Sequence, residues 1–277
     1  MSQEYSILMA VYRKDNPDHF DLSIRSMLNQ TIQSNDFVIV CDGSLTDELN
    51  QIIENHTRNN DKIVIHRLSE NVGLGNALNA ALPLCKNELV ARMDSDDYSL
   101  PNRIEKQLKI FQNNPNIDIV SGFVEEYDET MTNKISIKKL PLKHDDIYKY
   151  SKKRNPFNHP TVMYKKSKVL EVDGYKHLYL YEDYYLWIRM LLNGARAENI
   201  DDVLLNMRTG ISMIKRRGGY KYFKEGMKLQ KYMFKRKHIS FFRYCYNSLV
   251  RFVVQVILTH SMRKIFFVKA LRKTNNE

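Results

Sequence analysis

The sequence predicts an α/β fold: a mostly parallel central sheet with helices on both faces. Two observations predict it. Strand-like apolar runs alternate with helix-like periodic segments four times within about the first 100 residues. Polar and acidic residues gather where the apolar runs stop, at Tyr12, Asp42, Asn71 and Asp94–Asp97. In open parallel sheets, ligands sit beyond the carboxyl ends of the strands. That convergence says more than any one of the motifs.

The elements follow in order. Tyr5–Val11 is a buried strand. Asn16-Pro17 caps a helix running to about Gln30, with Phe20, Ile24 and Leu28 four residues apart. Phe37–Cys41 is a second strand ending in Asp42-Gly43-Ser44, and Thr46 starts a helix that turns Leu49, Ile52 and Ile53 inward. Lys62–Leu68 is a third strand. Asn71–Gly75 turns into a helix over Asn76–Leu84, and Glu88–Met93 is a fourth strand. Leu100–Gln112 reads as an amphipathic helix and Ile117–Val124 as a strand. Residues 125–155 are polar; a hairpin or loops with a short helix near Asp145–Ser151 suits them. Asn155–Tyr164 is a turn and short strand, Tyr181–Asn193 a helix, and Val203–Leu205 a last short strand.

The chain is organised around Glu88–Tyr98, ELVARMDSDDY. Asp94, Asp96 and Asp97 repel one another and suit a strand's end, with a divalent cation between them and a ligand. A hard cation such as Mg²⁺ takes oxygen donors, often one or two carboxylates plus ligand phosphates. A solvated acidic turn capping the next helix explains the triplet alone about equally well.

Bulk properties narrow the classes. The 277 residues are 43% hydrophobic and 27% charged, as expected of a folded chain. Cys41, Cys85 and Cys245 are far apart and show no zinc spacing, which suits free thiols in a reducing compartment. The first apolar run is too short for a signal peptide. The net charge of +11 is uneven: residues 207–277 hold 18 Lys and Arg against Glu225 and Glu277 (+16), leaving −5 for residues 1–206. A block of that sign attracts nucleic acid, an anionic membrane or a phosphorylated lipid.

Several residues are candidates for a nucleotide-sugar site. Asp42 could accept the imide hydrogen of uracil, although a plain turn explains Asp42-Gly43-Ser44 too. Asn71, Gly73 and Asn76 lie in a segment that lets backbone approach a base or ribose. Asp183 is the candidate general base, at a helix start beside Glu182 among Tyr179, Tyr181, Tyr184, Tyr185 and Trp187. Acids also favour helix starts for the dipole alone. His159 is open between metal ligand, phosphate contact and turn residue. Arg216 and Arg217 could clamp phosphates, or form a solvated basic turn.

Taken together, the motifs resemble an enzyme family. They are Ser6–Tyr12 (SILMAVY), Ser26–Thr31 (SMLNQT), Val38–Ser44 (VIVCDGS), Asn71–Asn79 (NVGLGNALN), Ala91–Asp97 (ARMDSDD), Pro101-Asn102-Arg103, Asn155–Val162 (NPFNHPTV), Glu182–Arg189 (EDYYLWIR) and Ser212–Gly219 (SMIKRRGG). In this order they resemble the family 2 inverting glycosyltransferases of GT-A fold, of the bacterial capsule, exopolysaccharide and O-antigen type. The resemblance covers residues 5 to 219. It implies a Rossmann-like GT-A domain over residues 1–206, with a nucleotide-sugar half at 1–124 and an acceptor half at 125–206. It implies a nucleotide sugar held by Ala10, Tyr12, Asp42, Asn71, Gly73, Asn76, Arg92, Asp94, Ser95, Arg216 and Arg217. Asp94 and Asp96 would form the DxD pair on Mn²⁺ or Mg²⁺, with Asp97 in support. Asp183 would be the base, with Glu182, His159 and Trp187 on the acceptor side. Cys41 departs from the family, which often has a second Asp there. A QxxRW motif is missing, which argues for addition of a single sugar.

Residues 207–277 form a basic, mostly helical extension. Arg243, Asn247, Arg251, Gln255 and Thr259 recur every four residues among Phe, Val, Leu and Ile. On a helix this makes a thin polar stripe on a broad apolar surface. The apolar run is well below the ~18 residues of a spanning helix. A helix lying in a membrane interface fits it; packing on the catalytic domain, with solvated Lys and Arg, is the alternative. The expectation is a cytoplasmic enzyme, peripheral on the inner face of the cell membrane. It would move one hexose or N-acetylhexosamine from a UDP-sugar to a polyprenyl-diphosphate-linked saccharide. A nucleic-acid binder acting through the tail is the rival from another class, with no nucleic acid expected on the main reading. A nucleotidyltransferase on a related sheet is weaker, because Ala10–Asn16 has no glycine.

Overall fold

The computed structural model describes residues 4–58, 60–209, 216–259 and 262. Strand β1 (Tyr5–Val11) lies at the centre of a parallel set. It pairs on one side with β2 (Asp36–Cys41) and on the other with β4 (Leu89–Asp94), and β3 (Ile63–Arg67) joins β2. All six residues of β2 are buried, as a strand covered on both faces requires. The sheet continues through β8 (Met163–Lys165), antiparallel to β4, to β6 (Ile119–Tyr127). Beyond it lie β9 (Ala197–Arg208), parallel to β6, and the two-residue β5 (Tyr98–Ser99); β7 (Lys134–Lys138) hangs off β6 as a hairpin.

Helices cover both faces. Phe20, Ile24 and Met27 of α1 (Pro17–Leu28), Leu49 and Ile53 of α2 (Asp47–Thr57), and Ile104, Leu108 and Phe111 of α4 (Arg103–Asn113) pack on one face. Ala77, Leu78 and Ala81 of α3 (Leu74–Ala81), Ile147 of α5 (His144–Ser151), Val169 of α6 (Lys166–Leu170), and Leu186, Trp187 and Met190 of α7 (Glu182–Leu192) pack on the other. Asn16 and Thr46 cap α1 and α2 with their side chains, as expected from sequence.

Three elements differ from expectation. The last strand is twelve residues long, where only Val203–Leu205 was expected. Glu198, Asp201 and Asp202 break its alternation, and shifts of register against Gly122 and Phe123 absorb the irregularity. Strand β5 and helix α6 were not expected; two and five residues carry no usable periodicity.

The chain closes with α8 (Tyr220–Lys235), α9 (Phe241–Phe252) and a π-helical turn at Val253–Ile257. A third cluster fixes them to α7: Leu229, Met233 and Ile239 pack on Tyr181, Tyr184 and Ile188. The outer helix is inside out. Its buried residue is Asn247, which donates to Lys152 O and Gln230 Oε1 at 2.9 Å, and Gln255 in the following turn is buried too. Phe242 is 84% exposed, Leu249 63% and Ile257 60%. Asn247, Arg251 and Gln255 of the polar stripe therefore face the protein. Thr259 is the stripe's last described member, and residues 263–277 lie outside the described part.

Candidate active site

The strand ends make one rim. Ala10 pairs with Asp94 across β1 and β4, and Val11 pairs with Cys41 across β1 and β2, so Tyr12, Asp42 and the acidic loop share one sheet edge. Residues behind the rim hold it. Ser23 donates to Asp94 O at 2.6 Å, and Ser26 Oγ accepts from Ser99 N–H at 3.1 Å. Gln30 bonds Ser99, Leu100 and Ile104. Buried Arg103 donates to Arg92 O at 2.7 Å. The SMLNQT and Pro101–Arg103 motifs are thus the scaffold of the acidic loop.

At the end of β2, Asp42 does a job that its sequence context does not suggest. Its carboxylate accepts from Val72 N–H at 2.7 Å, Gly73 N–H at 3.0 Å and Asn71 Nδ2 at 3.0 Å. It is 5% exposed. It therefore shapes the Asn71–Gly73 turn, and Asn76 closes that turn on Val72 O. This turn starts α3, whose Gly75 lies against α7: a Cβ there would meet Glu182 Cβ at 3.0 Å. The absence of a side chain brings the turn beside the acid pair.

The acidic loop gathers Asp94, Asp96 and Asp97, each offering a ligand oxygen within 4.8 Å of the others. Asp96 is open to solvent on one side, yet desolvation by the crowded loop and the neighbouring Asp94 push its carboxyl up to about 6, and burial with Asp96 holds Asp97 well above the usual carboxylate range. Clustered oxygen donors that resist joint ionisation fit a hard divalent cation, which relieves the repulsion. Arg92, 1% exposed, forms an ion pair with Asp94.

Two residues that stand in no motif of the sequence join the loop. Asp15 accepts from Ser95 Oγ at 2.8 Å and Tyr12 N–H at 3.1 Å, and burial raises its carboxyl to about 7. Arg208, on the unexpectedly long β9, donates its backbone N–H to Asp97 and its side chain to Asp96 O at 2.8 Å. Asp15 lies in Ala10–Asn16, whose sequence carries no pattern pointing to that carboxylate, and Arg208 has no local signal.

On the opposite side, Glu182 and Asp183 open α7. Asp183 accepts from Asn155 Nδ2 at 2.5 Å and Tyr184 N–H at 2.6 Å. Burial raises its pKa, against those hydrogen bonds and Arg217. Burial and Asp183 raise Glu182 to about 7, while Arg92 and Asp94 also act on it, so the two acidic groups share one electrostatic site. Exposed Arg216 acts on Asp96 and Tyr12. The basic pair thus reaches both halves of the site; residues 210–215 before it lie outside the described part.

Two acceptor-side expectations change. Trp187 is wholly buried, edge-on to Phe157 at 5.6 Å, so its indole has no face for a sugar. It lies on the inner side of α7, where the alternation of Tyr184, Trp187 and Leu191 puts core residues. His159 bonds Tyr175 Oη at 3.1 Å and packs against Trp187 at 6.0 Å. Burial and Arg92 hold its pKa well below the usual range, so it is a neutral turn residue. It is not part of the carboxylate cluster.

Residues 6–173 match the family model described as glycosyl transferase family 2. The chain belongs to that family. This family 2 glycosyltransferase is 39% identical to an Escherichia coli UDP-Gal:alpha-D-GlcNAc-diphosphoundecaprenol beta-1,3-galactosyltransferase, over 98% of this chain and 97% of that one. It is 34% identical to the amylovoran biosynthesis glycosyltransferase AmsE of Erwinia amylovora, over 95% and 97%. Its fold matches S. aureus TarS, solved in complex with UDP-GlcNAc, at a TM-score of 0.64 and 17% identity, covering 96% of this chain and 75% of that chain. The GT-A-like α/β architecture read from the sequence is therefore the fold of the protein.

Proposed function

We propose that this glycosyltransferase moves one galactose from UDP-galactose to an N-acetylhexosamine on a polyprenyl diphosphate, inverting the anomeric centre. The observation that carries the reading is the electrostatic coupling of the carboxylate cluster to the Glu182–Asp183 pair, in a chain similar along its length to an enzyme named for that donor and acceptor. The uracil would lie on the turn that Asp42 shapes, with Ala10, Tyr12 and Ser95 along the rim. Asp94, Asp96 and Asp97 would hold Mn²⁺ or Mg²⁺, which supplies charge neutralisation for the departing diphosphate. Arg92 and Arg216 add positive charge on the same side, while Arg217 acts on Asp183.

On the other side, Asp183 takes the proton of the acceptor hydroxyl as its oxygen bonds to the anomeric carbon and the bond to UDP breaks. Asn155 and the Tyr184 N–H orient the carboxylate and favour its ionised form. Glu182 orients the acceptor.

The acceptor's lipid requires a membrane. No helix among the described residues is long and apolar enough to cross one. The outward apolar face of α9 is the proposed contact, with the anionic inner face of the cell membrane as its partner. Lys221, Lys224, Lys228, Lys231 and Lys235 are all exposed and recur at three- and four-residue steps, so they form one stripe along α8. Phe223 and Phe234 of α8 pack on Phe252 and Phe241 of α9, which sets that stripe beside the apolar face. An apolar plane with a basic border suits anionic lipid.

A donor screen tests the reading. UDP-galactose, UDP-glucose and their N-acetyl forms are offered with a synthetic GlcNAc-diphospholipid acceptor, with and without Mn²⁺. UDP release with UDP-galactose alone is expected. Preference for another donor removes galactose from the reading, and release without any acceptor dependence removes the transfer.

A further inference from the structure

Tyr181 is the residue before the acid pair and the N-cap of α7. Its carbonyl accepts the first helical hydrogen bond, from Tyr185 N–H at 2.8 Å. Its side chain, 4% exposed, is held from the C-terminal extension on several sides. Arg251 Nη1 and Gln255 Nε2 each donate to its hydroxyl at 3.1 Å. Tyr222 stacks on its ring at 4.6 Å and 16°. The Arg251 guanidinium lies 5.5 Å from the ring centroid. Gly226 of α8 sits over the phenol: a Cβ there would meet Tyr181 Oη at 2.8 Å.

Three segments of the extension thus converge on one phenol, and the backbone of that residue begins the helix that carries Glu182 and Asp183. Packing alone does not ask for this arrangement, since a phenylalanine ring would fill the same space. The hydroxyl matters because two donors, one on the outer helix and one in the turn that follows it, point at it. Among the described residues no carboxylate pairs with Arg251, whose charge meets the tyrosines 181, 184 and 222 instead. Removing the hydroxyl takes away the acceptor that Arg251 and Gln255 share, and with it the polar tie between the extension and the start of α7.

We infer that Tyr181 is a positioning residue through which the C-terminal helices fix the start of α7, and with it the carboxylate of Asp183. The inference rests on the reading of Asp183 as the base. A displacement of about 1 Å at a reacting group can cost ~10²-fold in rate, so a small shift of the helix start is enough to be read in turnover. The helix that turns its apolar face outward and the residue that aims the base are then joined by two hydrogen bonds.

The test uses the full chain. Tyr181→Phe should lower kcat by roughly tenfold, with UDP affinity and the KM for donor within about twofold of wild type. The double variant Tyr181→Phe/Asp183→Asn should be no slower than Asp183→Asn, because both changes act through one carboxylate. Arg251→Lys should retain more turnover than Arg251→Met. Wild-type kcat in Tyr181→Phe overturns the inference. So do fully additive losses in the double variant, and so does a fall in UDP affinity and melting temperature that parallels the fall in kcat, which is general destabilisation. Normal turnover in Asp183→Asn removes the base reading itself, and that result is visible without any change at Tyr181.

Discussion

Arg92 and Asp94 form an ion pair two residues apart at the head of β4, with the guanidinium buried and the carboxylate half-exposed. Residues i and i+2 of a strand lie on the same face, so the pair follows from the backbone. Nε and Nη1 of Arg92 find no hydrogen-bond partner among the described residues. Asp94 alone offsets that buried charge directly, while Asp96 and Asp97 crowd the same loop. Arg92→Met should therefore destabilise the cation-free protein by about 1–3 kcal/mol, the scale of a lost hydrogen bond between charged groups. Thermal melting checks this, and Mn²⁺ should restore part of the loss. An unchanged melting temperature would mean that the pair is not holding the loop.

Removal of the cation should abolish transfer. Asp96→Ala, at the exposed member of the cluster, is expected to lose Mn²⁺-dependent UDP binding while keeping its melting temperature. Calorimetric titration of UDP with Mn²⁺ and with excess EDTA reads both effects. Full wild-type activity in EDTA overturns the cation assignment.

Asp183→Asn keeps the shape and the Asn155 contact region but removes basicity. Turnover should fall at least ~10²-fold with UDP affinity within a few-fold of wild type. Product anomeric configuration by NMR should be inverted relative to the donor. Retained configuration would falsify the single-displacement mechanism.

Glu182 should make stability depend on pH. Its carboxyl is raised in the folded protein to about 7 from an ordinary value of 4.5. The folded state then holds a proton that the unfolded state has lost, so stability falls as pH rises from about 4.5 through 7. Glu182→Gln removes that titration. The melting temperature of the variant, relative to wild type, is expected to rise between pH 5 and pH 8. A constant difference across that range would refute the raised value.

The outward face of α9 should decide membrane attachment. Phe242→Asp with Leu249→Asp places charge on the two most exposed apolar positions of the helix without touching Asn247, Arg251 or Gln255. Co-sedimentation with vesicles containing anionic lipid should be lost, and activity on a soluble acceptor analogue retained. Binding that survives both substitutions places the attachment elsewhere.

The alternating elements, the parallel sheet, and the gathering of Tyr12, Asp42, Asn71 and Asp94–Asp97 at strand ends are legible in the chain alone, because alternation and helical periodicity are local properties. So are the helix start at Glu182 and Asp183 and the stripe of Arg243, Asn247, Arg251 and Gln255. What those features face is set by contacts between distant segments. Trp187 went inward because its side of α7 meets the sheet. Asp42 was taken up by the Asn71–Gly73 turn, since the two loops meet only when β2 and β3 pair. Arg208 reached Asp97 through a strand whose acidic residues hid its length, and 111 residues of chain separate the two partners. Asn247 and Arg251 of the stripe on α9 turned inward because their polar groups find buried acceptors on Lys152, Gln230 and Tyr181, which leaves the apolar side facing out. Periodicity fixes which residues share a face; which way that face turns depends on partners far away in the chain.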